Sequence, residues 1–92
     1  MAVMVTLTLK TDPATYRRVH DQMIALARPA GLLFHSSYEV GGQVGVVDIW
    51  PSEETWNAFA QGPLLEGMKV AGIEPPDDLK ITPLISADGR AD

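Results

Sequence analysis

Residues 32–50 read LLFHSSYEVGGQVGVVDIW, and the way this stretch folds decides the rest of the chain. Two β-rich runs, 32–40 and 43–50, flank Gly41-Gly42, a pair able to take the positive φ angles that a two-residue hairpin turn demands. The runs are therefore expected to pair antiparallel. With the glycines as the turn, Val40 faces Gln43, and counting outwards sets His35 opposite Asp48 and Leu33 opposite Trp50 on one sheet face. Phe34 and Tyr38 fall on the other. A three-residue loop would slip the register and dissolve every one of these pairings.

Upstream, Val3, Val5, Leu7 and Leu9 alternate with Met4, Thr6 and Thr8, the period-two pattern of a strand. Asp12-Pro13 then marks a helix start, because an N-cap carboxylate accepts an orphan amide hydrogen and proline at the first helical position loses nothing. Over 14–27 the period becomes helical, with Tyr16, Val19, Met23 and Ala27 on one stripe, and Pro29 and Gly31 are expected to stop it. Downstream, Ser52 caps a second helix with Glu53 and Glu54 in its positive first turn. Gly62-Pro63 should break or kink that helix, leaving a shorter piece from about residue 63 to 71. Residues 79–85 read as a last strand, with Pro83 pointing to an edge or strand end. The tail, 86–92, is small and polar and is expected to be loose.

The order β-α-β-β-α-β is that of a ferredoxin-like α+β domain, here 1–85, with a four-stranded antiparallel sheet and both helices on one face. The hairpin carries apolar residues on both faces, Val44 and Val46 on one, Phe34, Val47 and Ile49 on the other. The face without helices therefore needs a cover, and a second copy of the sheet is the economical one. A chain of 92 residues that is 46% hydrophobic, with mean hydropathy +0.03, agrees with a homodimer, since so small a monomer cannot hide that much apolar surface.

The chain has no cysteine, which excludes disulfides, thiolate nucleophiles and zinc-thiolate or iron–sulfur sites. A net charge of −5 and no run of Lys or Arg argue against nucleic acid or anionic lipid as partners. No apolar run approaches the roughly 18 residues of a membrane span, and no leader pattern opens the sequence, so a cytoplasmic location is expected. A small, neutral or aromatic molecule suits such a surface better.

Within this frame the pair His35–Asp48 is the sharpest candidate for chemistry. A cross-strand imidazole and carboxylate fix the ring's tautomer, as a general base requires; the same two groups can equally just satisfy each other's hydrogen bonds on a partly buried face. Trp50, one pleat away, would give a flat apolar wall. His20, one turn after Tyr16 at the edge of the helical stripe, is placed to enter a helix–sheet cavity beside Tyr16 and Met23, or to sit on the helix flank in solvent. These four residues are the expected substrate contacts. His20, His35 and Asp48 have the composition of a two-His, one-carboxylate metal site, but no spacing rule joins them, and no metal is expected.

The segments GLLFH (31–35), VVDIWPSEETWNAF (46–59) and AGIEPP (71–76) resemble small bacterial proteins of the dimeric α+β barrel superfamily. The resemblance spans nearly the whole chain. It implies the fold just described and a range of activities: cofactor-independent antibiotic-biosynthesis monooxygenases, haem-degrading oxygenases and polyketide cyclases. Several of the monooxygenases carry an asparagine four residues before the tryptophan that ends the third strand; Trp50 matches, whereas Val46 stands in the asparagine's place. Relatives that degrade haem bind iron through a histidine of the second helix, and 52–71 contains none. The resemblance thus implies a monooxygenase on an aromatic or polyketide-like substrate, without a cofactor. The alternatives are a polyketide cyclase and a non-catalytic homodimer in which His35 and Asp48 are structural.

Overall fold

The structure, a computed structural model, describes residues 1–87. Strand β1 (Val3–Leu9) leads to helix α1 (Pro13–Ala30), then to the hairpin of β2 (Phe34–Val40) and β3 (Gln43–Trp50). Helix α2 (Glu53–Phe59), a π-helical turn (Ala60–Leu64) and helix α3 (Leu65–Ala71) follow without interruption, and β4 (Lys80–Pro83) closes the sheet. The sheet order is β2-β3-β1-β4, antiparallel throughout. This is the ferredoxin-like α+β arrangement, and it follows from the hairpin: β3 finds β1 on its free side, and β4 returns to the far edge of β1.

The hairpin turn has the two-glycine form. Gly41 and Gly42 sit at φ +56° and +80°, Val40 pairs with Gln43, and His35 pairs with Asp48. With that register, Val44, Val46, Asp48 and Trp50 of β3 join Val3, Val5, Leu7 and Leu9 of β1 on the face under the helices, and all eight are buried. Trp50 is the deepest large side chain, fully buried with its ring 5.9 Å from that of Trp56 and 5.1 Å from that of Phe59. On the opposite face Phe34, Tyr38 and Val40 lie open to solvent. Tyr38 lies over Gly45 of β3, where an added Cβ would fall 2.3 Å from its Cζ; the glycine makes the seat for the ring.

Three expectations need correction. Helix α1 continues through Pro29 to Ala30. Pro29 gives up its own bond to the carbonyl four residues back, yet the helix runs one residue further, and the stop comes at Gly31, where the Gly31 and Leu32 amides close on the carbonyls of Arg28 and Ala27, each at 3.1 Å. Gly62-Pro63, expected to break or kink the second helix, does not end it: the chain widens into the π turn and resumes as α3, close to the expected second piece. Strands β2 and β4 are also shorter than their expected runs, whereas β1 and β3 match theirs. Beyond β2 the ladder persists in one bond, Leu33 N–H to Ile49 O at 2.9 Å, and beyond β4 in Leu84 N–H to Ala2 O at 2.9 Å. Of the expected loose tail, 86–92, residues 88–92 lie outside the described residues.

The loop before β4 is anchored by charge. Asp78 Oδ1 accepts the Thr8 amide at 2.8 Å, serving β1 where β4 no longer reaches, and Lys10 Nζ meets Asp77 Oδ2 at 2.7 Å. Among the described residues no helix is long and apolar enough to cross a membrane.

Candidate functional site

A cavity of about 300 Å³ lies between the inner sheet face and the helices. Leu7, Leu9 and Val46 form its floor; Tyr16, Val19, His20 and Met23 of α1 and Phe59 and Leu64 of the second helical layer form its walls, and Pro75, Pro76 and Leu79 of the anchored loop close one side. The volume is at the low end of small-molecule sites. The lining is mostly apolar; its polar side chains are Tyr16 and His20 of α1, His35 and Asp48 of the β2–β3 hairpin, and Lys69 of α3.

Tyr16, His35 and Asp48 form one chain of hydrogen bonds. His35 Nδ1 lies 2.6 Å from Asp48 Oδ1, with both side chains largely buried. A carboxylate can only accept, so Nδ1 carries the hydrogen, and in the neutral ring Nε2 presents a lone pair. That lone pair is met by the Tyr16 hydroxyl at 2.8 Å. The second carboxylate oxygen, Asp48 Oδ2, accepts the Trp50 indole N–H at 3.3 Å. Burial chiefly holds the Tyr16 phenol above its ordinary pKa; the Ser37 hydroxyl partly opposes this, and the negative charge of Asp48 adds to it. Tyr16 is therefore a neutral phenol at neutral pH.

His20 stands beside this chain, its ring centroid 5.3 Å from that of His35 and 5.5 Å from that of Tyr16, while its Nδ1 lies 2.9 Å from Asp21 Oδ1 at the surface. Met23 lines the cavity and reaches α3 at Gly67, where an added Cβ would fall 2.6 Å from Met23 Sδ.

Of the residues singled out in the sequence, His35, Asp48, Tyr16, His20 and Met23 thus meet around one cavity. Trp50 does not. Both it and Asp48 point under the helices, but Trp50 is sealed behind the carboxylate among Trp56 and Phe59 and is not part of the cavity lining. The expected flat wall is a support for Asp48. That bond was within reach of the sequence, since residues 48 and 50 share a strand face. The Tyr16–His35 bond was not, because it depends on how α1 settles across the sheet.

No protein-family model and no curated protein matches the chain. Solved structures do. SnoaB, a cofactor-independent oxygenase from Streptomyces nogalater, is similar at 13% identity and TM-score 0.67 over 97% of this chain and 96% of its own. A candidate antibiotic biosynthesis monooxygenase from Chloroflexus aurantiacus is similar at 15% identity and TM-score 0.61, over 97% and 98%. The haem degrader MhuD from Mycobacterium tuberculosis, seen with two haems in its active site, matches at 20% identity and TM-score 0.53, over 97% and 100%. At these identities the likeness speaks for architecture, and it agrees with the strand order and helix placement: the chain has the ferredoxin-like α+β fold of the antibiotic-biosynthesis-monooxygenase-like proteins.

Proposed function

We propose that the chain binds a small aromatic or polyketide-like molecule in the cavity under its helices and acts on it as a cofactor-independent monooxygenase. The observation that carries this reading is the 2.6 Å His35–Asp48 pair on the lining of a largely apolar cavity. A base in that position removes a proton from an acidic hydroxyl or activated carbon, and the apolar walls hold flat rings without competing for the charge. An electron-rich anion can itself reduce dioxygen. A ring CH₂ becomes C=O while one oxygen atom leaves as water, and the substrate supplies all four electrons. In this scheme His35 accepts the proton and Asp48 holds the ring in the Nδ1–H tautomer, with Trp50 fixing Asp48 from behind.

The exposed outer face with Phe34, Tyr38 and Val40 supports a homodimer in which a second copy covers it. A cytoplasmic protein without nucleic acid as partner is part of this proposal: the sequence has no run of Lys or Arg, and among the described residues no helix is long and apolar enough to cross a membrane. Sedimentation should find a dimer, and Phe34→Glu should shift it toward monomer.

Oxygen uptake with hydroquinone and anthrone-type substrates tests the reaction. The wild-type protein is expected to consume oxygen and His35→Ala to lose about 100-fold or more of that rate. Ring closure of a polyketide-like substrate in the absence of oxygen would assign a cyclase instead. A His35→Ala protein with undiminished turnover would sink the role of the base.

A further inference from the structure

We infer that the group meeting the substrate in this cavity is the phenol of Tyr16, which relays the proton to His35, and that the site therefore selects a neutral phenol or enol over its ethers and over carboxylates. This rests on the reading of His35 as the base. Imidazole has two nitrogens, and here both are engaged: Nδ1 donates to Asp48 at 2.6 Å and Nε2 accepts from Tyr16 at 2.8 Å. A substrate hydroxyl cannot reach Nε2 without displacing Tyr16. The Tyr16 oxygen, by contrast, has its hydrogen committed to His35; the Ser37 hydroxyl is turned to one of its lone pairs and the other is left over.

An oxygen in that state accepts hydrogen bonds and offers none. A phenol or enol O–H fits it. A methyl ether brings no hydrogen, and a carboxylate would set negative charge against lone pairs, with the Asp48 carboxylate two hydrogen bonds further along the chain. The ring of His20, tilted against both Tyr16 and His35, flanks the same place without a hydrogen bond to either. The raised pKa of Tyr16, caused first by its burial, keeps the phenol protonated and the bond to Nε2 in place at rest.

The transfer is balanced as proton movement alone. The substrate O–H bond breaks as its proton joins Tyr16 Oη; the Tyr16 proton passes to His35 Nε2; the charge comes to rest as an imidazolium beside Asp48, and the substrate is left as phenolate or enolate. Nothing is oxidised or reduced in this step.

The probes are 4-nitrophenol, whose absorbance reports its ionisation, 4-nitroanisole and 4-nitrobenzoate, applied to the full chain about one pH unit below the phenol's own pKa. The wild-type protein is expected to bind the phenol at least about tenfold more tightly than either analogue, about 1.4 kcal/mol for one hydrogen bond, and to hold it as phenolate. Tyr16→Phe and His35→Ala should both lose the phenolate band. A band that persists in Tyr16→Phe but not in His35→Ala would overturn the relay and leave His35 as a direct base. A band that persists in His35→Ala would remove the base itself. No preference for the phenol, including no binding of any probe, would overturn the selection. Thermal unfolding shows whether Tyr16→Phe is folded, and histidine ¹⁵N spectra of the wild-type protein give a check that needs no variant: His35 should be the Nδ1–H tautomer with Nε2 accepting, and an Nε2–H tautomer would overturn the relay.

Discussion

Strands β2 and β3 are joined by two glycines and share one ladder, yet their side chains live in different surroundings. In β3 every second residue, Val44, Val46, Asp48 and Trp50, is buried, whereas β2 is open along almost its whole length and only His35 is tucked in partway. The cause is position in the sheet: β3 lies between β2 and β1, and β2 is an edge. The candidate site forms where the two conditions meet. The buried strand supplies a carboxylate that the core holds still, and the edge strand supplies a ring that the cavity can reach. Rigidity comes from one strand and access from the other.

The comparison breaks most visibly at the core end. Trp50→Ala in β3 should destabilise the fold by about 3–5 kcal/mol, because it opens a void between Trp56 and Phe59 as well as losing burial, and denaturant unfolding should show this as a lowered midpoint at constant slope. Next comes the strand-to-strand bond. Asp48→Ala strands the His35 Nδ1–H and the Trp50 indole N–H together and should cost about 1–3 kcal/mol. With His35→Ala and the double variant, a coupling of about 0.5–3 kcal/mol is expected, and a value near zero would mean that the two strands act independently at the site.

Gly67→Ala should be smaller in stability and larger in binding. The added Cβ would sit 2.6 Å from Met23 Sδ, and a methionine yields by changing rotamer. Both residues line the cavity. Loss of probe binding with a melting temperature within a few degrees of the wild type is the expected pattern; unchanged binding would mean that Met23 moves elsewhere.

The smallest effects lie in pH. Asp12 is held below the ordinary carboxylate range chiefly by the Thr15 amide, and Asp78 by its hydrogen bonds to Thr8. A depressed carboxyl pKa stabilises the fold above its unfolded value and ceases to do so as pH falls through the folded one, so both contributions should fade below about pH 4. Tyr16 has the opposite sign. Its raised pKa favours the folded state while the phenol is protonated, and that contribution is lost as pH rises through its folded value, above about pH 10. Melting temperature against pH checks both limbs: Asp78→Asn should flatten the acid one and Tyr16→Phe the alkaline one.

Most of the fold was legible because its signals are local. The alternation in β1, the Asp12-Pro13 and Ser52 caps and the Gly41-Gly42 turn each name an element from adjacent residues, and the turn alone carried the register that joins His35 to Asp48. What was not legible depends on how layers meet. Pro29 and Pro63 read as breaks because a proline removes one bond, yet the neighbouring turns absorbed the loss at a helix end and in a π turn. Trp50 was assigned to the right face but not to the right depth, since periodicity gives orientation and not what packs above. The link from Tyr16 to His35 crosses from helix to sheet and has no signature in spacing.

A crystal structure of the protein with 4-nitrophenol tests most directly whether this cavity is the ligand site and its polar end the reactive one. The phenol is expected under the helices with its oxygen about 2.6–3.0 Å from the Tyr16–His35 end and its ring among Val19, Met23 and Phe59. A cavity filled by the protein's own side chains, or a phenol bound only elsewhere with the Tyr16–His35–Asp48 chain undisturbed, would contradict it and leave these residues as structural parts of the fold.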